Sequence, residues 1–460
     1  MPLARDVRAR LLLTALGLWL LCWVAGCAGH EARVATALDA LDRSAPEEAI
    51  AALDAELQVE HDTDLPANLE GDNALLVLDR ATVLQSLGRY QDSARDYGAA
   101  DKAIDMLDLS ANAADEIGRY LFSESVARYR APAFEKLLIN TMNSMNYLAV
   151  RDIGGAKVEA RRLAVVQRYL QDKQDATPLL GLGSYLAGFT FEKAGQTDEA
   201  LGYYEDALKY SSYPSLRDPL RVLTKGEPKS KAIDALVAGA GALPSLGEAG
   251  QGELLVVVGY GRVPPKIPVR IPIGLALTLV STQMSPKDQA FANELAAKGL
   301  VTWVNFPRLG KSRGRYAVPE LQIDGKASAL EHALDIEAEV RREWDRNEGT
   351  VILSAITRLL TRAVAGELVQ TATSGGKRKT SEAEGIIGLL AGLATTATLA
   401  ALDTPDTRSW VTLPANVAIA RVRLPPGTHQ VRVTARGQST DYRVTLQPGD
   451  WSFVCMTALE

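Results

Sequence analysis

The sequence predicts an α+β protein, with an N-terminal α-helical, tetratricopeptide-like array and a mixed α/β region ending in a small antiparallel β unit. Three observations carry that expectation. From Ala32 to about Tyr213 the chain is rich in Ala, Leu, Arg and Tyr and follows a helical period. Near Pro214 it turns to proline, glycine and short β-rich runs. From Trp410 onward apolar and polar residues alternate with a period of two. These changes divide the chain into a helical domain over 27–213, a linker over 214–252 and an α/β domain over 253–460, with the antiparallel unit at 410–460.

Residues 1–26 read as a signal peptide. Arg5, Arg8 and Arg10 precede a 14-residue apolar run from Leu11 to Val24, which is short for a stable membrane span. The run ends in Val24-Ala25-Gly26-Cys27, which resembles the lipobox, where small residues admit a peptidase ahead of a cysteine that receives lipid. Cys27 is the expected lipidation site. An ordinary N-terminal anchor, or a secretory signal in which Cys27 is incidental, are the alternatives. The next residue is Ala28 and not Asp; in Gram-negative lipoproteins this implies an outer-membrane anchor facing the periplasm.

Four hairpins follow. Ala37 to Leu57 turns at Ser44-Ala45-Pro46. Ala81, Gly88, Tyr90, Tyr97 and Ala100 mark a second hairpin. Tyr147 to Tyr169 forms a weaker one, expected to turn at Gly154-Gly155. The clearest has its turn at Gly195, with Gly188 and Phe191 before it and Ala200, Tyr204 and Ala207 after it. Small residues let two helices approach closely, and each aromatic fills the gap to the next hairpin. Gly88 and Gly155 lie 67 residues apart, close to two periods of about 34. An irregular α-bundle is the alternative. In an array each hairpin touches mainly its neighbours, which predicts weak long-range coupling. Tyr147, Tyr185 and Tyr203 are aromatic candidates for a partner-binding face, or else inter-hairpin packing.

The linker holds one short helix around Ala232 to Gly239. Glu253 to Val258 is a strand, and the proline-studded Val269, Ile271 and Ile273 suggest an edge strand. Val301 to Phe306 is another strand. A polar helix is expected over Ser328 to Arg346 and an apolar one over Val351 to Gln370. Gly375 to Lys379 reads as a loop. Gly385 to Leu402 is 18 residues without a charge, read as a buried helix, with a membrane helix as the alternative. Four strands complete the chain: Val417 to Arg423, a return strand over Gln430 to Ala435 after Pro425-Pro426-Gly427, then Tyr442 to Leu446 and Trp451 to Met456. They are expected to form one antiparallel unit closed against the helices or the strand near residue 255.

Chemistry is sparse. A net charge of −6 offers no basic surplus for nucleic acid. Once Cys22 leaves with the signal and Cys27 carries lipid, Cys455 is alone and no internal disulfide can form. His30, His61, His332 and His429 have no metal-ligand spacing, so no metal or other cofactor is expected. Glu337, Glu339, Glu343 and Asp345 interleave with Arg341, Arg342 and Arg346, the pattern of an ion-paired exposed helix. Asp406 and Arg408 are placed to fix a junction or to contact a partner. Arg262, Lys266 and Arg270 surround the prolines and could meet an anionic group such as a peptidoglycan carboxylate.

The stretches Leu84 to Ser93, Tyr129 to Leu138, Val158 to Arg162, Gly261 to Lys266, and Asp406 to Trp410 with Leu413-Pro414 resemble a family of proteobacterial outer-membrane lipoproteins with a tetratricopeptide-like N-terminal half. The likeness spans most of the chain, in order. It departs at Gly259-Tyr260, where an acidic residue is expected. The resemblance implies location and architecture only. The expected function is a non-catalytic scaffold, anchored to the membrane through Cys27, that binds an envelope protein or peptidoglycan. A cell-wall-active hydrolase or its direct subunit, and a lipoprotein assembly factor of a secretion system, are the alternatives.

Overall fold

A computed structural model describes residues 29–70, 72–106, 129–172, 178–282, 284–297, 303–311, 317–373 and 405–460. Cys27, the loop expected at 375–379 and the apolar segment 385–402 lie outside them.

Among the described residues the helical half holds four hairpins: α1 (His30–Asp42) with α2 (Pro46–Leu57), α3 (Asn73–Ser86) with α4 (Tyr90–Ala103), α5 (Ala133–Ala149) with α6 (Ile153–Asp172), and α7 (Leu179–Lys193) with α8 (Thr197–Tyr210). Between the second and third, β1 (Asp105–Met106) pairs in parallel with β2 (Arg130–Ala131). All four turns have one geometry. A left-handed residue ends the first helix, at Ser44, Gly88, Arg151 and Gly195. The next amide then reaches back five residues, as in Arg89 N to Leu84 O at 3.0 Å and Gln196 N to Phe191 O at 2.9 Å.

The third turn corrects the sequence reading. It lies at 150–152, and Arg151 takes the left-handed conformation with φ 59°. Gly154 and Gly155 fall in the first turn of α6. Gly155 serves packing: a Cβ there would lie 2.3 Å from a ring carbon of Tyr147. The 67-residue interval therefore joins a turn to a packing glycine and does not count two repeats. α4 packs directly on α5, so these hairpins are neighbours.

A 3-10 turn (Pro214–Leu216), α9 (Arg217–Thr224) and α10 (Lys231–Val237) follow. The segment expected to link two domains thus holds a further helix, and its Leu216, Leu220 and Ile233 are buried in the main core. Then come β3 (Gly252–Tyr260), β4 (Lys266–Pro272), α11 (Ile273–Leu279), α12 (Pro286–Ala297), β5 (Trp303–Leu309), β6 (Glu320–Ile323), β7 (Lys326–Ser328), β8 (Glu331–Asp335) and α13 (Ile336–Thr373). The last strands are β9 (Asn416–Leu424), β10 (Gly427–Ala435), β11 (Gln438–Leu446) and β12 (Trp451–Ala458).

The stretch expected to open a polar helix at Ser328 instead holds the end of β7 and then β8, whose Glu331 to Asp335 pair with β9. Asp335 caps the helix that follows, its carboxylate accepting from Ala338 N at 2.8 Å. The two helices expected beyond it are one.

The four C-terminal strands do not form a single antiparallel unit. They divide between a sheet ordered β12-β3-β9-β8 and a sheet ordered β11-β10-β6-β7. Pro425-Pro426 carries the chain from one to the other. Tight hairpins sit instead at Asp324-Gly325 and Arg436-Gly437, where both central residues have positive φ, as a type I′ turn requires. β12 runs parallel to β3, and β9 antiparallel to it.

One face of the first sheet offers Leu254, Val256, Val258 and Val454 to Val431, Val433 and Leu446 of the second sheet. Its other face places Leu255, Val257, Ile419 and Phe453 in the same core as the helices. β3 is buried along its whole length, which explains its unbroken apolar run. A separate small core joins β4, β5, α11 and α12 to residues 352–359 of α13.

Candidate functional site at the helix–sheet seam

The segment 406–412 crosses the helices and gathers several residues that the sequence singles out. Asp406 accepts from the Arg408 backbone at 3.0 Å and from its guanidinium at 2.8 Å. The same guanidinium approaches Asp72 at 3.6 Å and lies over the Tyr129 ring at 5.8 Å. Lys266 Nζ donates to the carbonyl of Arg408 at 3.1 Å. Asp406, Arg408 and Lys266 therefore meet.

Beside them Trp410 is buried edge-on to Tyr97, with ring centroids 5.8 Å apart, and its indole N–H donates to Thr82 at 2.9 Å. Thr412 donates its amide and hydroxyl to Asp79 at 3.0 and 2.9 Å. The Tyr129 hydroxyl donates to Glu135 at 2.7 Å. Burial pushes the Glu135 carboxyl up from its ordinary value, opposed by the Tyr129 hydrogen bond and the charge of Lys266. Burial and the Glu135 carboxylate also push Tyr129 far up. The other Asp79 oxygen lies 3.5 Å from Nε2 of the buried His30. Chemically, this arrangement fastens a loop: both carboxylates face donors from the strap that crosses them.

A second polar joint lies deeper. Arg421 of β9 donates to both oxygens of Glu192 on α7 at 2.7 and 2.8 Å, and to Glu253 of β3 at 2.8 Å. Lys193 closes the cluster, 2.7 Å from Glu192 and 2.6 Å from Glu253. Tyr204 of α8 donates to Glu192 at 2.6 Å and accepts from Arg421 at 2.9 Å. Burial alone would raise the Glu192 carboxyl, but the charges of Arg421 and Lys193 outweigh it and hold the group well down. Glu253 is lowered through the same contest between burial and Arg421.

The remaining expected site residues scatter. Tyr185 corrects the reading of a partner-facing aromatic, since it is fully buried with its hydroxyl 2.9 Å from Ser215 and its ring against Tyr204 and Tyr213. Tyr203 stacks on Phe191, with centroids 5.2 Å apart, and remains half-buried. Tyr147 packs on Gly155 and is also half-buried. Arg262 is buried and paired with Asp42, so it cannot meet an external anion. Arg270 is exposed, 5.4 Å from the centre of the Trp303 ring.

Sequence reasoning missed the Arg421 cluster. Its signal is a glutamate heading the apolar run Gly252–Tyr260, and an arginine on the strand face that also carries Val417 and Ile419. No family model, curated protein or solved structure matches the chain.

Proposed function

We propose that this chain is a non-catalytic outer-membrane lipoprotein, resembling the lipoprotein family described above, that acts from the periplasmic face as a scaffold for an envelope protein or the cell wall. The observation that carries the reading is how soon after Cys27 the chain is held by the body. Gly29 lies beside the Thr407 hydroxyl and α1 begins at His30, so the chain is already held on the body two residues after the lipobox cysteine. A lipid at Cys27 would be joined to the body by almost no tether. The seams support a scaffold role, because their buried charges brace the helical hairpins against the sheet. Tyr147 and Tyr203 are only half-buried on the helical half, which leaves them partly accessible to a partner, and aromatic anchors supply much of the energy of such contacts.

The test is made in intact cells. Photocrosslinkers at positions 147 and 203 should capture one envelope component, and Cys27→Ala should leave an uncleaved precursor held in the inner membrane. Wild-type processing and sorting of Cys27→Ala would remove the lipoprotein reading. A single carboxylate substitution that abolishes function while fold and capture persist would favour a hydrolase instead.

A further inference from the structure

We propose that the surface formed by β4, β5 and α11 rests on anionic lipid headgroups beside the anchor, as a second membrane contact that orients the body. The proposal rests on the lipoprotein reading for its choice of occupant. Its first support is composition. Among the described residues, five exposed large apolar side chains fall in this part of the chain: Ile267, Leu275, Leu279, Trp303 and Val318, with Trp303 42% and Leu279 55% exposed. The other exposed large apolar residues are scattered over the helical half.

The small core explains why Trp303, Leu275 and Leu279 face outward. Val269, Ile271, Val304 and Phe306 turn in toward Ile352 and Ile356 of α13. Strand alternation then leaves Arg270 and Trp303 on the opposite face. On α11, Ile273, Ala276 and Leu277 are buried, while Leu275 and Leu279 share the outer side one turn apart.

Charge selects the occupant. Arg270 is exposed on the same face as Trp303 and Arg308 is exposed near the end of β5, neither strand carries an acid, and α11 has no charge at all. Arg270 lies over the ring of Trp303, a pair with one apolar and one cationic end that suits the boundary between headgroup and acyl chain. Among the described residues no helix is long and apolar enough to cross a membrane.

Continuity with the anchor completes the argument. The Thr407 hydroxyl accepts from Glu31 N at 3.4 Å, and the adjacent Arg408 carbonyl accepts from Lys266 at the head of β4. The lipid-bearing end of the chain and the start of this surface therefore meet at neighbouring residues. Two residues span at most about 7 Å, so a lipid on Cys27 cannot lie far from this point. β4 then extends roughly 20 Å from it.

The test uses the natural chain and a Trp303→Phe variant, reconstituted into phosphatidylethanolamine–phosphatidylglycerol vesicles with brominated acyl chains. Tryptophan emission should be quenched in the natural chain, and most of that quenching should vanish in Trp303→Phe. A Leu275→Ser/Leu279→Ser variant should lose it partly, with an unchanged melting temperature. Equal quenching in the natural chain and Trp303→Phe would overturn the contact. So would a dimer that shields Trp303, or a large fall in melting temperature of the double variant, which would show the face covered by protein. The mass of the N-terminal peptide reports the anchor independently: acylation without Trp303 quenching sinks only the contact, and quenching without acylation sinks only the anchor.

Discussion

Arg421 on β9 grips Glu192 on α7 through one guanidinium nitrogen shared between both carboxylate oxygens, at 2.7 and 2.8 Å. The pair lies 229 residues apart in sequence and joins sheet to helix, the Arg421 side chain 1% and the Glu192 side chain 13% exposed. Removing one partner of such a pair strands the other. Arg421→Met would leave Glu192 and Glu253 sharing only Lys193, and should cost about 3–5 kcal/mol in denaturant unfolding. A loss below about 1 kcal/mol would mean that the cluster is hydrated or dispensable.

Acid should act through the same joint. The Glu192 carboxyl is held below its ordinary value, so the stability it contributes is fully present above about 4.5 and is lost as pH falls toward about 2. Glu192→Gln should be less stable at neutral pH and show a flatter acid limb in a pH series of melting temperatures. Parallel acid limbs for the two chains would assign the acid sensitivity elsewhere.

Gly188 tests whether the hairpins are independent. A Cβ there would sit 2.5 Å from the Tyr204 ring, and that ring cannot swing aside because Glu192 and Arg421 hold its hydroxyl. Gly188→Ala should cost about 1–3 kcal/mol. Hydrogen exchange should quicken in α7 and α8 and also in β9. Loosening confined to residues 179–210 would restore the weakly coupled array that the sequence suggests.

Trp410 ties the strap to the helices through Thr82 and Tyr97. Trp410→Ala removes a fully buried indole and should cost about 3–5 kcal/mol, read by calorimetry. Trp410→Phe, which keeps most of the volume but loses the Thr82 hydrogen bond, should fall between the two. A phenylalanine variant as damaged as the alanine one would place the energy in the hydrogen bond.

Local signals were legible and distant ones were not. Ser44, Gly88 and Gly195 mark turns by residue type, whereas Arg151 adopts the same left-handed conformation with nothing in its chemistry to announce it. The pair Gly154-Gly155 drew the turn to itself although Gly155 is there to admit Tyr147. The Asp406–Arg408 bond could be read because its partners are two residues apart. Strand pairing could not. Pro425-Pro426-Gly427 has the composition of a hairpin, and only the partners of β9 and β10, far away in the chain, decide that it is a crossing between sheets. Arg421 was similarly opaque, because alternation assigns it a face but cannot say that the face is dry.

The pairing of β3 with both β9 and the parallel β12 sets an order of events. The most apolar strand of the chain is made near the midpoint of synthesis, and both of its neighbours come from the last stretch. Until Trp451 to Ala458 arrives, β3 has an open edge of the kind that invites pairing with other chains. A premature stop just ahead of Trp451 would remove few residues, yet it should turn a well-behaved protein into an aggregating one.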